Sequence, residues 1–398
     1  MKKIAILMYY MNCGGVEIAL VNLLKRIPPE KFHIDLYLLE KKGEFLERIP
    51  EYVNVIEIKT TPLEKQMVEE RGVRQILKKS LRMSPKVFIE ALWLSAKYVV
   101  FRRMKMEYYD YKAVFGQKKS LGTYDQIWDF HGYNTLTTYL AANLFAASSK
   151  SFWIHCEEVS KEAALYPKTM QRFDRIFAVS STCATIYNQY YDAVKAKVFY
   201  NFIDKERILQ HAKVPVVLEK ENLVLTLVTV GRLSPQKGYD TALLVANQLR
   251  VHGVNFKWYF VGGGEDETML KAKCTELLLD KYIVFVGFTS NPYAYMQACD
   301  IYVQPSRFEG YAVTLMEAIV LKKVIVTTDV SGSEEAVFNG YNGLIVHHDV
   351  DELAQAIVSI WKTPNRLEEM QANANQKELS QSKSEEILNA LLYGDLQA

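Results

Sequence analysis

The sequence predicts two doubly wound α/β domains in tandem, and three observations carry the prediction. Short apolar runs of strand length alternate with stretches of helical periodicity along the chain. Around residues 205–222 the sequence changes character, where Asp204-Lys205-Glu206 leads on to Pro215 and the charged run Glu219-Lys220-Glu221. On either side of that stretch, the series opens with a strand running into a glycine-containing turn. A length of 398 residues suits two domains at roughly 150 residues each.

The first strand is Ile4–Tyr9, an apolar run bounded by polar residues and Gly14-Gly15, as in a buried parallel strand. Ile18, Leu20, Val21 and Leu24 then recur at helical spacing. Ile34–Leu39, Val53–Ile58, Gln126–Asp129, Phe152–Ile154 and Ile176–Val179 read as further strands with helical segments between them. The second series comprises Leu223–Val230, Phe256–Val261, Ile283–Val286, Ile301–Val303, Val324–Thr327 and Leu344–Val346. The expected division is therefore a first domain over 1–204, a linker over 205–222, a second domain over 223–375, and a helical tail over 376–398 with room to pack back on the first domain.

Hydrophobic residues make up 49% and charged residues 24%, which excludes wholesale disorder and collagen-like repeats. A net charge of +2 excludes a polyelectrolyte binder overall. The cysteines at 13, 156, 183, 274 and 299 never fall in CxxC spacing, so no zinc or redox motif is expected and a reducing cytoplasm fits. No stretch reaches the ~18 apolar residues of a membrane span. The opening lysines and apolar run resemble a signal peptide, but no small-residue cleavage site follows, and a buried strand explains them.

Charge is unevenly spread. Residues 71–119 carry net +10, leaving −8 for the rest. Within them Phe88, Leu92, Trp93, Ala96 and Val99-Val100 fall at the spacing of an amphipathic helix with a basic opposite face. Lys78, Lys79, Arg82, Lys86 and Trp93 are the candidate contacts to an anionic membrane surface or an acceptor. A solvated helical face explains the same pattern equally well. No nucleic-acid motif accompanies the charge, so no nucleic-acid partner is expected.

Three motifs offer chemistry. Arg307-Phe308-Glu309-Gly310 follows the strand Ile301–Val303, and Glu317 stands eight residues after Glu309. With a helix starting near Ala312, both carboxylates can face the crevice at the strand ends, where open α/β sheets bind ligands. Amides near Gly310 can hold an anion. Gly231-Arg232-Leu233-Ser234-Pro235-Gln236-Lys237-Gly238 follows the strand ending at Val230, and its two cations suit a diphosphate, Arg232 as a fork and Lys237 as a point charge. Gly14-Gly15 opens a helix whose free N–H groups suit an anion, without the GxGxxG pattern of a dinucleotide site. Read singly, the last two motifs are equally ordinary surface loops. Asp349-Val350-Asp351 spells a metal-binding pattern; its place before Leu353, Ala354 and Ile357 reads as a helix cap, while His347-His348 beside it leave a metal site open at this point.

Taken in order, these motifs with Val261-Gly262-Gly263-Gly264 resemble the family-4 retaining glycosyltransferases of the GT-B fold, bacterial surface-polysaccharide type. The match runs from residue 1 to about 375. The resemblance implies two Rossmann-like domains facing across a cleft that holds a nucleotide-sugar, most commonly a UDP-sugar, and no cofactor. It implies Arg232 and Lys237 on the donor diphosphate, Glu317 on the ribose hydroxyls, and Glu309 with the Phe308 and Gly310 backbone facing the donor sugar. Gly14 and Gly15 then match a loop closing on phosphate and sugar, Gly262 the pocket backbone, and His155 a histidine near the reacting sugar, with a buried structural histidine as the alternative. Ser180 and Asn201 match other lining positions, although Tyr200-Asn201-Phe202 departs from the usual Pro-Asn-Gly. The implied function is metal-independent hexosyl transfer with retention to a lipid-linked or polymeric glycan acceptor. The implied location is cytoplasmic, peripheral on the inner face of the cell membrane. Two rivals remain: a catalytically inactive GT-B accessory subunit and a sugar-nucleotide epimerase on the same fold.

Overall fold

The computed structural model describes residues 1–12, 14–59, 77–78, 80–81, 84–103, 120–132, 135–158, 167–216, 218, 224–376 and 381–394. The chain forms two compact units, one of Met1–Tyr200 with Ile387–Ala398 and one of Asn201–Glu386.

The first unit is built on seven parallel strands: β1 (Lys2–Met8), β2 (Phe32–Leu38), β3 (Val53–Glu57), β4 (Gly122–Asp129), β5 (Phe145–Ile154), β6 (Arg175–Ala178) and β7 (Ala196–Val198). Their order is β3-β2-β1-β4-β5-β6-β7, so the winding reverses between β1 and β4. Ile4–Met8 is buried throughout, as a central strand covered on both faces must be. β5 is longer than its apolar run because Ala146–Lys150 lies along β4 while presenting small or polar side chains that are exposed or half-buried. β7 has only three residues and no apolar run, so periodicity gives no sign of it.

Helices α1 (Gly15–Leu24), α2 (Pro85–Arg103), α3 (Thr135–Asn143), α4 (Pro167–Met170) and α5 (Ser181–Tyr190) belong to this unit. Its core includes an aromatic stack in which Trp153 lies 5.5 Å from Trp128, 5.3 Å from Phe130 and 4.8 Å from Phe177. Asp35 is buried in β2, but it accepts hydrogen bonds from Tyr124 at 2.6 Å and Asn54 at 2.8 Å, which satisfies its charge.

The second unit holds six parallel strands: β8 (Leu225–Val230), β9 (Phe256–Val261), β10 (Ile283–Gly287), β11 (Ile301–Gln304), β12 (Val324–Thr328) and β13 (Gly343–Val346). Their order, β10-β9-β8-β11-β12-β13, again reverses between the first and fourth strands. Two doubly wound parallel sheets make this the GT-B architecture. Around the sheet lie α6 (Lys205–Ala212), α7 (Tyr239–Val251), α8 (Glu267–Glu276), α9 (Tyr293–Ala298), α10 (Val313–Val320), α11 (Ser333–Ala336), α12 (Val350–Lys362) and α13 (Arg366–Gln376). α6 occupies the stretch with the composition of a linker. Asp204 caps it by accepting from the Arg207 amide at 3.1 Å, and the helix belongs to the second unit.

The last helix, α14 (Ser382–Tyr393), starts in the second unit and finishes in the first. Its final turns lie over β1, β2 and β4. The Gln126 amide donates to the Leu391 carbonyl at 2.7 Å, Lys2 donates to the Leu392 carbonyl at 3.1 Å, and the Tyr393 ring lies 5.7 Å from Phe32.

Candidate active site

In the second unit, the reversal between β8 and β11 leaves a crevice beyond their C-terminal ends, the usual ligand site of this topology. Both loops that leave these strands carry expected site residues. Backbone geometry locks the loops together. Gly238 sits at φ 67°, and a Cβ there would overlap the Pro305 carbonyl oxygen. Arg307 donates to the Gln236 carbonyl through its amide at 2.8 Å, and its guanidinium forks onto Asp240 at 2.8 and 2.7 Å. Gln236 returns a hydrogen bond to the Phe308 carbonyl at 3.0 Å.

Within this frame Lys237 and Glu309 meet, with Lys237 Nζ 2.6 Å from Glu309 Oε1. The same oxygen accepts from Gln304 Nε2 at 2.8 Å and Ser306 Oγ at 2.7 Å. Three donors thus converge on one oxygen of a buried carboxylate. Glu317 is the fifth residue of α10, also buried, and accepts from the Tyr293 hydroxyl at 3.0 Å. Burial pushes its carboxyl up to about 7, against opposing pulls from the Tyr293 hydrogen bond and the charges of Arg207 and Lys237. Arg232 stands exposed in the loop after β8, and Phe308 is 37% exposed. Gly310 is buried. Gly262 closes β9 at φ 144°, where a Cβ would overlap the Gly231 carbonyl oxygen, so glycine here lets two loops touch.

The first unit gathers a second group at its own reversal. Gly14, with extended backbone, is the N-cap of α1, and Gly15 is its first residue. A Cβ at Gly14 would overlap the Glu17 carboxylate, so an acidic side chain already lies against this helix start. His155 follows β5 and donates from Nε2 to the Phe130 carbonyl at 2.6 Å. The residue as a whole is half-buried, and burial pushes its pKa down to about 3, so the ring is neutral near pH 7 with Nδ1 as acceptor. His131 is pushed down to about 4 by burial and lies 6.0 Å from the rings of Tyr9 and Tyr10. Ser180 caps α5, accepting from the Cys183 amide at 3.2 Å, and Asn201, at the start of the second unit, is buried.

Asp349 caps α12, accepting from the amides of Asp351 at 2.8 Å and Glu352 at 3.0 Å. Glu352 takes the His347 ring at 3.0 Å. Among the described residues no group of three His, Cys, Asp or Glu could hold a metal ion. Lys78, Lys86 and Trp93 are exposed, Trp93 to 58%, while Lys79 and Arg82 lie outside the described residues.

The sequence reading missed the shell behind the carboxylates: Gln304, Ser306, Tyr293 and the Arg307–Asp240 pair. One sign was available, since Gln304 puts an amide at the end of an otherwise apolar strand. The others are pairs distant in sequence, joined only by the fold.

Residues 212–377 match the family model of the glycosyl transferases group 1. The match covers most of the unit that holds the Lys237–Glu309 pair. The chain is 27% identical over 364 residues to the N-acetylgalactosamine-N,N'-diacetylbacillosaminyl-diphospho-undecaprenol 4-alpha-N-acetylgalactosaminyltransferase of Campylobacter jejuni, covering 88% of this chain and 87% of that one. A second enzyme of that organism, the N,N'-diacetylbacillosaminyl-diphospho-undecaprenol alpha-1,3-N-acetylgalactosaminyltransferase, is 39% identical over 82 residues, 21% of this chain and 22% of its own. Among solved structures, Anabaena Alr3699/HepE in complex with UDP-glucose superposes with a TM-score of 0.66 at 18% identity, covering 99% of each chain.

Proposed function

We propose that the chain moves a hexosyl group from a nucleotide-sugar, with UDP as the carrier, to a lipid-linked glycan in the assembly of a cell-surface polysaccharide. The observation that carries this reading is the joining of Lys237 and Glu309 where the second sheet reverses, with Glu317 on the adjoining helix. Two diphospho-undecaprenol-dependent relatives support the acceptor class, and a structural neighbour solved with UDP-glucose supports the carrier.

In this reading Arg232 and Lys237 bind the diphosphate, Glu317 accepts from the ribose hydroxyls, and Glu309, with the Phe308 and Gly310 backbone, faces the sugar. The bond from the anomeric carbon to the phosphate oxygen breaks while the acceptor oxygen forms its bond on the same face. The acceptor proton passes to the leaving phosphate, so configuration is retained without a carboxylate pair flanking the bond. The two cations and neighbouring amides stabilise the charge that develops on the leaving diphosphate. Neutral His155 positions hydroxyls through Nδ1 and does not act as a proton donor at neutral pH. Gly14 and Gly15 offer backbone amides to phosphate and sugar.

The test is a panel of nucleotide-sugars with a polyprenyl-diphosphate-linked acceptor, run with and without EDTA. Sugar transfer from a UDP-sugar that survives the chelator is expected. Loss with EDTA and rescue by magnesium or manganese would refute the cation-only account, and turnover without an acceptor would favour an epimerase.

A further inference from the structure

We propose that Gln304 is a positioning residue for the reacting sugar: it clamps one oxygen of the Glu309 carboxylate so that the other is presented to the donor. The inference deepens the glycosyl-transfer reading above and rests on it.

The Gln304 side chain uses its full hydrogen-bonding capacity. Nε2 donates to Glu309 Oε1 at 2.8 Å and Ser306 Oγ at 2.9 Å. Oε1 accepts from the Tyr302 hydroxyl at 2.7 Å and Thr314 Oγ1 at 3.0 Å. Two donors pointing at its oxygen fix which way the amide faces. With Ser306 and Lys237 also donating to it, Glu309 Oε1 is saturated, while Oε2 makes no hydrogen bond to a described residue. The carboxylate is held from behind by three donors, one on the loop after β8, one at the end of β11 and one on the loop after it, and keeps one acceptor for sugar hydroxyls. Thr314 stands one helical turn before Glu317 on α10, so the same amide ties the sugar-facing carboxylate to the helix that carries the ribose-facing one.

Glu309 has no covalent role in this arrangement, so its value depends on orientation. A freely turning carboxylate reaches the same hydroxyls only part of the time, which lowers turnover more than binding. The titratable groups around it are Lys237, Glu317, Tyr239 and Tyr302. The two tyrosines are held above their ordinary values by burial and stay neutral.

The experiment compares Gln304→Met and Gln304→Glu with the wild type in steady-state transfer across pH. Gln304→Met keeps volume but removes every hydrogen bond, and it should lower kcat about tenfold at all pH values, with KM for the donor changed by less than about threefold. Gln304→Glu still accepts from Tyr302 and Thr314 but sets a second carboxyl against Glu309. The two groups then share a proton, which raises the upper titration above the ordinary ~4.3 of a glutamate. Once protonated, the introduced carboxyl donates to Glu309 as the amide did. Its kcat relative to wild type should therefore be about one-tenth at the alkaline end of the profile and climb towards unity as pH falls. Glu317 titrates in both proteins, so the ratio isolates the new group. Wild-type kcat in Gln304→Met, or a ratio for Gln304→Glu that does not change with pH, overturns the proposal. If Gln304→Met does not fold, the ratio decides alone. A wild type that transfers sugar from no nucleotide-sugar overturns the glycosyl-transfer reading, and this one with it.

Discussion

At the residue scale, Glu317 shows what the site costs the fold. Its carboxyl is buried and moves from its ordinary 4.5 to about 7 because desolvation outweighs the Tyr293 hydrogen bond and two nearby cations. A raised carboxyl makes the native state hold a proton that the unfolded chain has lost, so its contribution to stability falls as pH rises from about 4.5 to 7. Glu317→Gln keeps the acceptor for Tyr293 and removes this penalty. It should raise stability above pH 7 by at most roughly 3 kcal/mol, with the gain gone below pH 4.5, as urea unfolding at several pH values would measure. The same variant should weaken UDP-sugar binding about tenfold by calorimetry, through loss of a charge-assisted hydrogen bond. Wild-type affinity should itself decline as pH drops below about 7 and Glu317 takes up a proton. Unchanged donor affinity in the variant would remove Glu317 from the ribose site. The sequence exposes Glu309 and Glu317 because they interrupt apolar surroundings. It hides Tyr293, since a tyrosine at the start of a helix resembles any packing aromatic until the fold sets it beside α10.

At the scale of elements, the loops after β8 and β11 behave as one piece. Gly238 is the pin, held at φ 67° against the Pro305 carbonyl. Gly238→Ala should cost about 1–2 kcal/mol from the left-handed backbone alone, and more from the overlap. Thermal unfolding would record it, and donor affinity should fall with it because Lys237 is the preceding residue. A variant as stable as wild type would show that the two loops yield easily. The glycine was legible as a turn residue, but its opponent lies 67 residues away, at Pro305. Helix α2 makes a separate prediction. Ile89, Leu92 and Trp93 are 66%, 44% and 58% exposed, and Lys78 and Lys86 are exposed beside them in the sequence. The spacing disclosed the helix, but it could not tell which face would be left outward, and among its described side chains Ala91 and Ser95 are buried. Vesicles rich in anionic lipid should bind the protein at low salt and release most of it at 1 M, where the Debye length shrinks to ~3 Å. Replacing Lys78, Lys79, Arg82 and Lys86 with Glu should abolish sedimentation with vesicles while leaving UDP-sugar affinity unchanged. Equal binding to neutral vesicles would return this face to ordinary solvent exposure.

For the whole molecule, two parallel sheets with reversed winding follow from the alternation of short apolar runs with helical periodicity, and most strands fall where those runs lie. β7 and the first half of β5 escaped because they are held by neighbouring strands and lack an apolar run. Among the described residues no helix is long and apolar enough to cross a membrane. The first unit draws its closing segment from the far end of the chain, and deleting residues 387–398 tests how much depends on it. The deletion exposes the ground beneath Leu388, Leu391 and Leu392, each at most 3% exposed, and strips the acceptor from Gln126. At ~1.5–3 kcal/mol per buried leucine, the first unit should unfold at clearly lower urea than the intact protein. Coincident transitions would show the segment to be an ornament. The same arrangement bears on synthesis. A ribosome moving at ~5–20 residues per second needs roughly 10–40 s to pass from the end of β7 to the last turns of α14. Through that interval the nascent first unit stands with one flank uncovered, a natural client for whatever chaperone waits at the exit tunnel.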